Sequence, residues 1–479
     1  HLWPAYLGTD AHDWIRQNIS GGVITKATLF LGMKGENITG LSSVLDVKGA
    51  TVRYVDVMLP ATNVSGIVSL DLNSAKIQVL GGQVNNVQAV GGYVNFLKLD
   101  EDVPLFDMDV EFKGRVQDGL KIVATEPLKV CDMSVLVPCK SGKGMAKGHV
   151  ALSFPFVDED AIADLIKYAV TVDLDDTSFP LPKTDWTVSE GNFKLFVNND
   201  KLTIKGRGLL DDKPMQLDVL QLFDDDKEHD SVYQVRLPVT ASMIMPYFEQ
   251  APNFLKGSLL TDITIRPLTD NENTVGLEFG LKDAEISLPI GYVKEFNQNG
   301  TLKATLSIVN DQLAAVPSIY LSIPDENILI KGRVDFPKNT VFQLNLSQIK
   351  APRTDANMML SYGNDGNFDV NIAGTSLDIA DLLHGDFFNR PYSAEEAQKV
   401  NQMKPKDFSV KAKVDTLYLS EKEKSFSNVE LELKKQNGYW QQIKGSLMGN
   451  VPFTFALADD KSALSIQTQD VGEFLRRSG

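Results

Sequence analysis

The sequence has few of the residues from which metal centres and disulfide frameworks are built. Its 479 residues include 2 cysteines and 5 histidines. No His or Cys pair has the spacing of a zinc ligand set. It also lacks a phosphate-binding glycine loop, a dinucleotide fingerprint and a Gly-x-Ser-x-Gly elbow. We therefore predict a protein that is not an enzyme, with no catalytic residues, no metal and no cofactor.

Long apolar runs and an excess of positive charge are also missing. No run approaches the roughly 18 apolar residues that cross a bilayer. Asp and Glu total 63 against 47 Lys and Arg, which gives a formal net charge of −16. This charge repels nucleic acid, so we expect no nucleic-acid partner. A hydrophobic fraction of 43% indicates an ordered chain.

Two local features leave alternatives open. Cys131 and Cys139 lie close enough in sequence for a short disulfide loop in an oxidising compartment, or they remain free thiols. The acidic stretch Asp224–Asp230 lacks the alternating ligands and central Gly of an EF-hand, and we interpret it as a solvated turn. The chain starts at His1 without an initiator Met, so we expect that a leader or anchor precedes it in the full protein.

The segment Phe106–Phe112 alternates apolar residues with Asp107, Asp109 and Glu111. Side chains alternate across a strand with a period of two, so this spacing predicts a strand with one apolar and one wet face. The pattern recurs to the end of the chain. It predicts a mainly β fold, an elongated antiparallel meander curled into an apolar groove, with a few short helices near residues 9–19, 158–169, 376–385 and 469–477.

The clearest strands supply the residues that we expect to line such a groove. These apolar positions are Phe106, Met108, Val110, Phe112, Leu302, Leu306, Ile308, Phe342, Leu344, Leu346, Val429, Leu431 and Leu433.

Short turns and one repeated helical pattern organise the chain. Glycine pairs such as Gly81-Gly82 and Gly91-Gly92 predict turns between strands. An acidic cap followed by apolar positions occurs at Asp378–Leu383 and again at Asp470–Leu475, which indicates a structural repeat. Phe387–Met403 is a polar insertion, a candidate lid or spacer. We expect one continuous structure cut from a longer protein, divided into segments 1–239 and 240–479.

Three classes of protein fit these strands. Ordinary closed sandwiches would make a structural or adhesive protein, and a solenoid could serve the same role. A glycosidase would use paired acids such as Asp107 and Asp109, but these share the wet strand face. A continuous sheet cannot leave a long apolar face in water, so it must curl, and its trough must hold lipid or be covered. At about 25 cal/mol per Å² of apolar surface removed from water, each acyl chain gains several kcal/mol there.

The order of several segments resembles that of the large AsmA-like envelope proteins, in the branch related to YhdP. A helix with a Trp and an Asn is followed by a Gly-Gly strand start, and a short helix closes the chain. The segments that carry the resemblance are Leu2–Pro4, Asp13–Ile19, Gly21–Ala27, Val64–Val68, Gly81-Gly82, Gly91-Gly92 and Asp470–Gly479.

This resemblance implies a periplasmic protein of a two-membrane bacterium, anchored in the inner membrane in its full-length form. It also implies an apolar β-groove that conducts phospholipid between the inner and outer membranes and supports outer-membrane integrity. The expected partners are phospholipid acyl chains, the inner membrane through the anchor, and the outer membrane or its proteins. The family has no catalytic residues to carry over.

Overall fold

The structure is a computed structural model of the chain. The residues that it describes are 9–35, 37–54, 58–125, 141–156, 165–181, 186–223, 230–244, 255–269, 271–287, 293–338, 340–380, 407–419, 425–436, 439–447, 453–457 and 463–472. Cys131, Cys139 and the insertion 387–403 lie outside these residues.

The chain divides into two compact units, His1–Val235 and Arg236–Gly479. In the first unit each strand pairs antiparallel with the next one along the chain, from β1 to β11. Its strands are β1 Ile19–Lys34, β2 Asn37–Val52, β3 Ala61–Asp71, β4 Ser74–Val84, β5 Val87–Leu97, β6 Leu105–Arg115, β7 Lys143–Pro155, β8 Lys167–Pro180, β9 Thr187–Asn198, β10 Lys201–Leu210 and β11 Lys213–Leu222. Strand β12, Val232–Thr240, contains the boundary between the units.

The second unit is also a meander, with two departures. Strand β14 pairs with β17, because β15 and β16 form a small branch on β13. Strands β22 and β23 pair in parallel. The strands are β13 Leu255–Thr269, β14 Glu272–Gly280, β15 Ala284–Ser287, β16 Val293–Lys294, β17 Thr301–Val309, β18 Gln312–Ile323, β19 Ile328–Asp335, β20 Thr340–Ala351, β21 Thr354–Gly363, β22 Phe368–Asp378, β23 Phe408–Tyr418, β24 Ser425–Gln436, β25 Tyr439–Leu447, β26 Phe453–Leu457 and β27 Leu464–Thr468. The predicted mainly β, antiparallel fold class is confirmed.

Helices are short within the described residues. They are α1 Thr9–Asn18, α2 Val116–Val123, α3 Ala241–Ile244 and one 3₁₀ turn at Pro324–Glu326. The helix predicted at 9–19 is confirmed. The one predicted at 158–169 is wrong at its end, because strand β8 already begins at Lys167. The helix predicted at 376–385 is wrong at its start, because strand β22 continues to Asp378 and the helix begins at Ala380. The last predicted helix begins at Val471, and only the first residues of these two helices are described.

The glycine pairs lie inside strands rather than between them. Gly81-Gly82 belongs to β4 and Gly91-Gly92 to β5, where the pairing of β5 with β6 shifts register between Ala89 and Gly91. At Gly92 the backbone has φ +124°, and a Cβ would lie 2.2 Å from the Asp109 carbonyl oxygen. Glycine is therefore required by close backbone approach at a bulge, and the turn prediction is wrong here.

Some hairpin turns are built from Asn and Asp instead. Asp211 and Asp212, between β10 and β11, have φ of 49° and 63°. Asn310 and Asp311, between β17 and β18, have φ of 51° and 59°. Two consecutive residues at positive φ form the tight turn whose twist matches antiparallel strands, and Asn and Asp tolerate this conformation.

Candidate functional site

One face of the first unit's sheet is apolar from strand to strand. A row of directly paired residues crosses it at right angles to the strands, from β2 to β8. Its members are Leu45, Val68, Ile77, Val94, Met108, Leu152 and Tyr168. Apolar side chains at paired positions stack along the sheet, so this row makes a continuous apolar strip. We call this side the apolar face of the first unit.

The second unit carries an equivalent row from β13 to β25, which bypasses the branch β15–β16. The row passes without a break across the parallel pair of β22 and β23, where Ile372 faces Ala412. Its members are Ile263, Leu277, Ala304, Ile319, Gly332, Leu346, Met358, Ile372, Ala412, Leu431 and Gly445. This side is the apolar face of the second unit.

The two faces of the sheet differ in exposure most clearly in two strands, where half-buried residues of the apolar face alternate with exposed residues of the opposite face. Strand β22 alternates half-buried and exposed residues from Phe368 to Thr375, and β7 does so from Lys143 to Val150. A flat sheet would expose both faces alike, so this asymmetry is consistent with the predicted curling toward the apolar face. A closed sandwich would bury the inner face almost completely. Here the apolar rows keep part of their surface accessible.

All the residues predicted to line a groove lie on these two faces. Phe106, Met108, Val110 and Phe112 occupy successive apolar positions of β6, and the other nine lie on β17, β20 and β24. Leu346 and Leu431 belong to the same cross-strand row. Val429 differs from the others because it is only 3% exposed and packs with Val414 and Phe426. A role in holding lipid stays a prediction for all thirteen.

The opposite faces carry ion pairs between neighbouring strands. Lys413 Nζ lies 2.6 Å from Glu430 Oε1, and Lys303 Nζ lies 2.9 Å from Glu278 Oε2. In the first unit the carboxylates of Asp107 and Asp109, together with partial desolvation, raise the pKa of Tyr93. Exposed ion pairs contribute little stability, but they keep this face wet. The acids considered for glycosidase chemistry belong to this wet face.

The two margins of the second unit's apolar face differ. At the margin where β17 and β24 begin, buried side chains form two clusters, with Leu255, Leu259, Leu281 and Ala284 in one and Val414, Phe426 and Val429 in the other. We call this edge the buried margin.

At the opposite edge, where β20 and β22 begin, aromatic rings follow one another. The ring centroids of Tyr362 and Phe368 lie 4.5 Å apart, those of Phe342 and Tyr362 lie 5.7 Å apart, and those of Phe408 and Trp440 also lie 5.7 Å apart. We call these five residues the aromatic margin. Sequence reasoning missed it as a site, because strand pairing brings the rings together from distant segments.

The family model described as YhdP protein matches residues 2–461. This chain belongs to the YhdP family. The family is AsmA-like and consists of bacterial envelope proteins, so the predicted membership is confirmed. It is not a known enzyme family, and membership suggests envelope-associated lipid transport. No curated protein and no solved structure matches the chain.

Two further findings concern the described residues of this YhdP-family chain. None of their helices combines the length and apolar character needed to cross a bilayer. Nor do their His, Cys, Asp and Glu side chains gather into a group of three or more that could hold a metal ion.

Proposed function

We propose that this YhdP-family chain binds phospholipid acyl chains on its two apolar faces and conducts lipid through the periplasm between the inner and outer membranes. The full-length protein is anchored in the inner membrane, reaches the outer membrane or its proteins, and supports outer-membrane integrity. The observation that carries the proposal is the half-burial of the cross-strand apolar rows. These rows are too shielded for a bare surface and too accessible for a closed core.

The mechanism requires no chemistry. Acyl chains laid on the apolar face leave water and gain about 25 cal/mol per Å² of surface removed. Headgroups keep their hydration because burying an unpaired charge would cost far more than this gain. Each row presents apolar residues, most of them aliphatic, from one strand to the next, so a bound chain finds similar binding sites along the sheet. Lipid can therefore move along the row without crossing a polar barrier.

Charges placed on the apolar faces test this proposal. We expect that Met108→Asp combined with Leu306→Lys removes most co-purifying lipid, because a bound chain would bury an unpaired charge in either unit. The matched control, Glu111→Lys with Thr305→Asp, places charges on the opposite faces of the same strands and should keep its lipid. The measurement is mass spectrometry of bound lipid after detergent-free purification, with circular dichroism to verify folding.

A folded apolar-face variant that retains all of its lipid would exclude binding at these residues. A wild-type protein that purifies without any lipid would instead favour a structural or adhesive envelope protein.

A further inference from the structure

Lys435 occupies an apolar position of strand β24. Along β24, Val429, Leu431, Leu433 and Lys435 fall on the same side, and Lys435 pairs with Phe408 of β23. A cation at the end of an apolar series is unexpected, because the wet face of the same strand already presents charged side chains such as Glu430 and Glu432. The position of Lys435 on the apolar side of the strand is therefore the feature that calls for an explanation.

Lys435 lies between two residues of the aromatic margin, because it pairs with Phe408 on one side and with Trp440 on the other. Lys435 is half-buried, and its Nζ lies 5.9 Å from the ring centroid of Trp440, which is itself in contact with Phe408. A lysine stem can lie along an apolar surface while the ammonium stays at its edge, and a ring face attracts the charge. The ammonium is therefore held where the apolar face ends.

The apolar face of the second unit, measured along β24 between its two margins, is about as wide as a single acyl layer. We call this stretch the apolar band. From Val429 at the buried margin to Lys435 at the aromatic margin, the strand rises about 20 Å at roughly 3.4 Å per residue. One leaflet of a bilayer contributes about 15 Å of the ~30 Å hydrocarbon core. The band thus accommodates one acyl layer laid along the strands, with room for headgroups at one margin only.

The two margins suit opposite ends of such a lipid. Val414, Phe426 and Val429 are buried at 2%, 2% and 3% exposure, so the buried margin offers no room for a hydrated group. The aromatic margin has rings that are apolar in body and, in Tyr362 and Trp440, polar at the tip. Such side chains favour the boundary between hydrocarbon and water.

We infer that the aromatic margin binds the headgroups of glycerophospholipids, with the Lys435 ammonium on the phosphate and the acyl chains along the strands toward the buried margin. This inference rests on the proposed lipid binding and adds its orientation and one anchoring residue. A phosphate oxygen can accept a charge-assisted hydrogen bond from the ammonium, and such bonds are stronger than neutral ones. Diacylglycerol has the same acyl chains without a phosphate and should gain nothing from Lys435.

The first test compares Lys435→Met with Lys434→Met. Methionine keeps the length and apolar stem of lysine without its charge, and Lys434 is the adjacent lysine on the opposite face. Each full-length variant is loaded from vesicles of phosphatidylethanolamine, phosphatidylglycerol and diacylglycerol, and bound lipid is measured by mass spectrometry. We expect Lys435→Met to lower the ratio of phospholipid to diacylglycerol about fivefold, the size of a partly exposed charge-assisted contact. Lys434→Met should leave the ratio unchanged.

Equal ratios of phospholipid to diacylglycerol in the two variants would show that Lys435 does not bind the phosphate, while the proposed lipid binding itself would stand. Absence of all lipid from the wild-type protein would instead remove the proposed function and this inference together.

The second test uses two photoreactive phosphatidylethanolamines, one with a diazirine on the headgroup and one with a diazirine at the acyl terminus. We expect the headgroup probe to label peptides around Trp440 and the acyl probe to label peptides around Phe426. The reverse pattern, or the same labelling by both probes, would overturn the orientation.

Discussion

A few single residues carry backbone conformations that their side chains disfavour. Glu190 lies in β9 with φ +50°, where the pairing of β9 with β10 shifts register. The left-handed conformation costs a residue with a Cβ roughly 1–2 kcal/mol, and glycine avoids this cost. Its side chain is exposed, so nothing in its surroundings compensates by burial.

We therefore predict that Glu190→Gly stabilises the protein by about 1 kcal/mol, measured as a higher urea midpoint of unfolding. The control is Glu111→Gly, at an exposed position of β6 where φ is not positive, which should lower the midpoint because glycine is unfavourable inside an ordinary strand. A lower midpoint for both variants would show that backbone strain at residue 190 is not the dominant effect.

At the scale of elements, a buried lysine holds the branch β15–β16 to the second unit, in addition to the pairing of β15 with β13. Lys294 is 1% exposed, and its ammonium donates to the carbonyl oxygens of Leu281, Ala284 and Glu295, at 2.8 Å for each of the last two. Three carbonyl oxygens satisfy the three donors of an ammonium group. This lysine therefore links β16 to Leu281 and Ala284, which belong to one of the two clusters at the buried margin.

We predict that Lys294→Met destabilises this branch by about 3 kcal/mol, because it leaves buried carbonyl oxygens without donors. Faster hydrogen exchange in residues 281–294 would reveal the loss. Lys282→Met, at a neighbouring exposed lysine, is the control and should exchange like the wild type.

The same lysine also predicts a pH effect. Burial lowers the pKa of Lys294 below the ordinary lysine value of 10.5, and Asp283 partly opposes this shift. The unfolded chain therefore binds this proton more tightly, so the folding free energy should become more favourable as the pH rises from the lowered pKa toward 10.5. Lys294→Met should abolish that slope. A slope that persists in the variant would assign it to another group.

On the scale of the whole molecule, lipid binding should not depend on the net charge of the protein. The formal net charge is −16, so attraction to anionic membranes cannot drive uptake. Burial of acyl chains depends little on salt, whereas interactions between exposed charges are screened over about 3 Å at 1 M ionic strength. We predict that washing the lipid-loaded protein in molar salt leaves the amount of bound lipid unchanged, as measured by mass spectrometry. Loss of most lipid in the wash would indicate electrostatic surface binding instead of an apolar site.

Period-two alternation within one strand is a local property, so the sequence alone predicted the strands, their two faces and all thirteen apolar positions on them. It also supported the family, through the order of its segments. It did not reveal α2, although Val116, Leu120 and Val123 have helical spacing, because the helix is short and has no side-chain cap at Arg115. The prediction that the glycine pairs form turns between strands was wrong, because glycine is equally suited to turns and to β-bulges.

Pairing is non-local, and only the tertiary structure decided it. The parallel contact of β22 with β23 joins segments separated by a long connection, and neither strand's pattern specifies its neighbour. Register then determines which side chains meet, so the aromatic margin and the place of Lys435 among its rings follow from strand pairing. Burial depends on that pairing as well. Alternation in the sequence therefore defined an apolar face, while its half-burial and its two unlike margins arise from how the strands assemble.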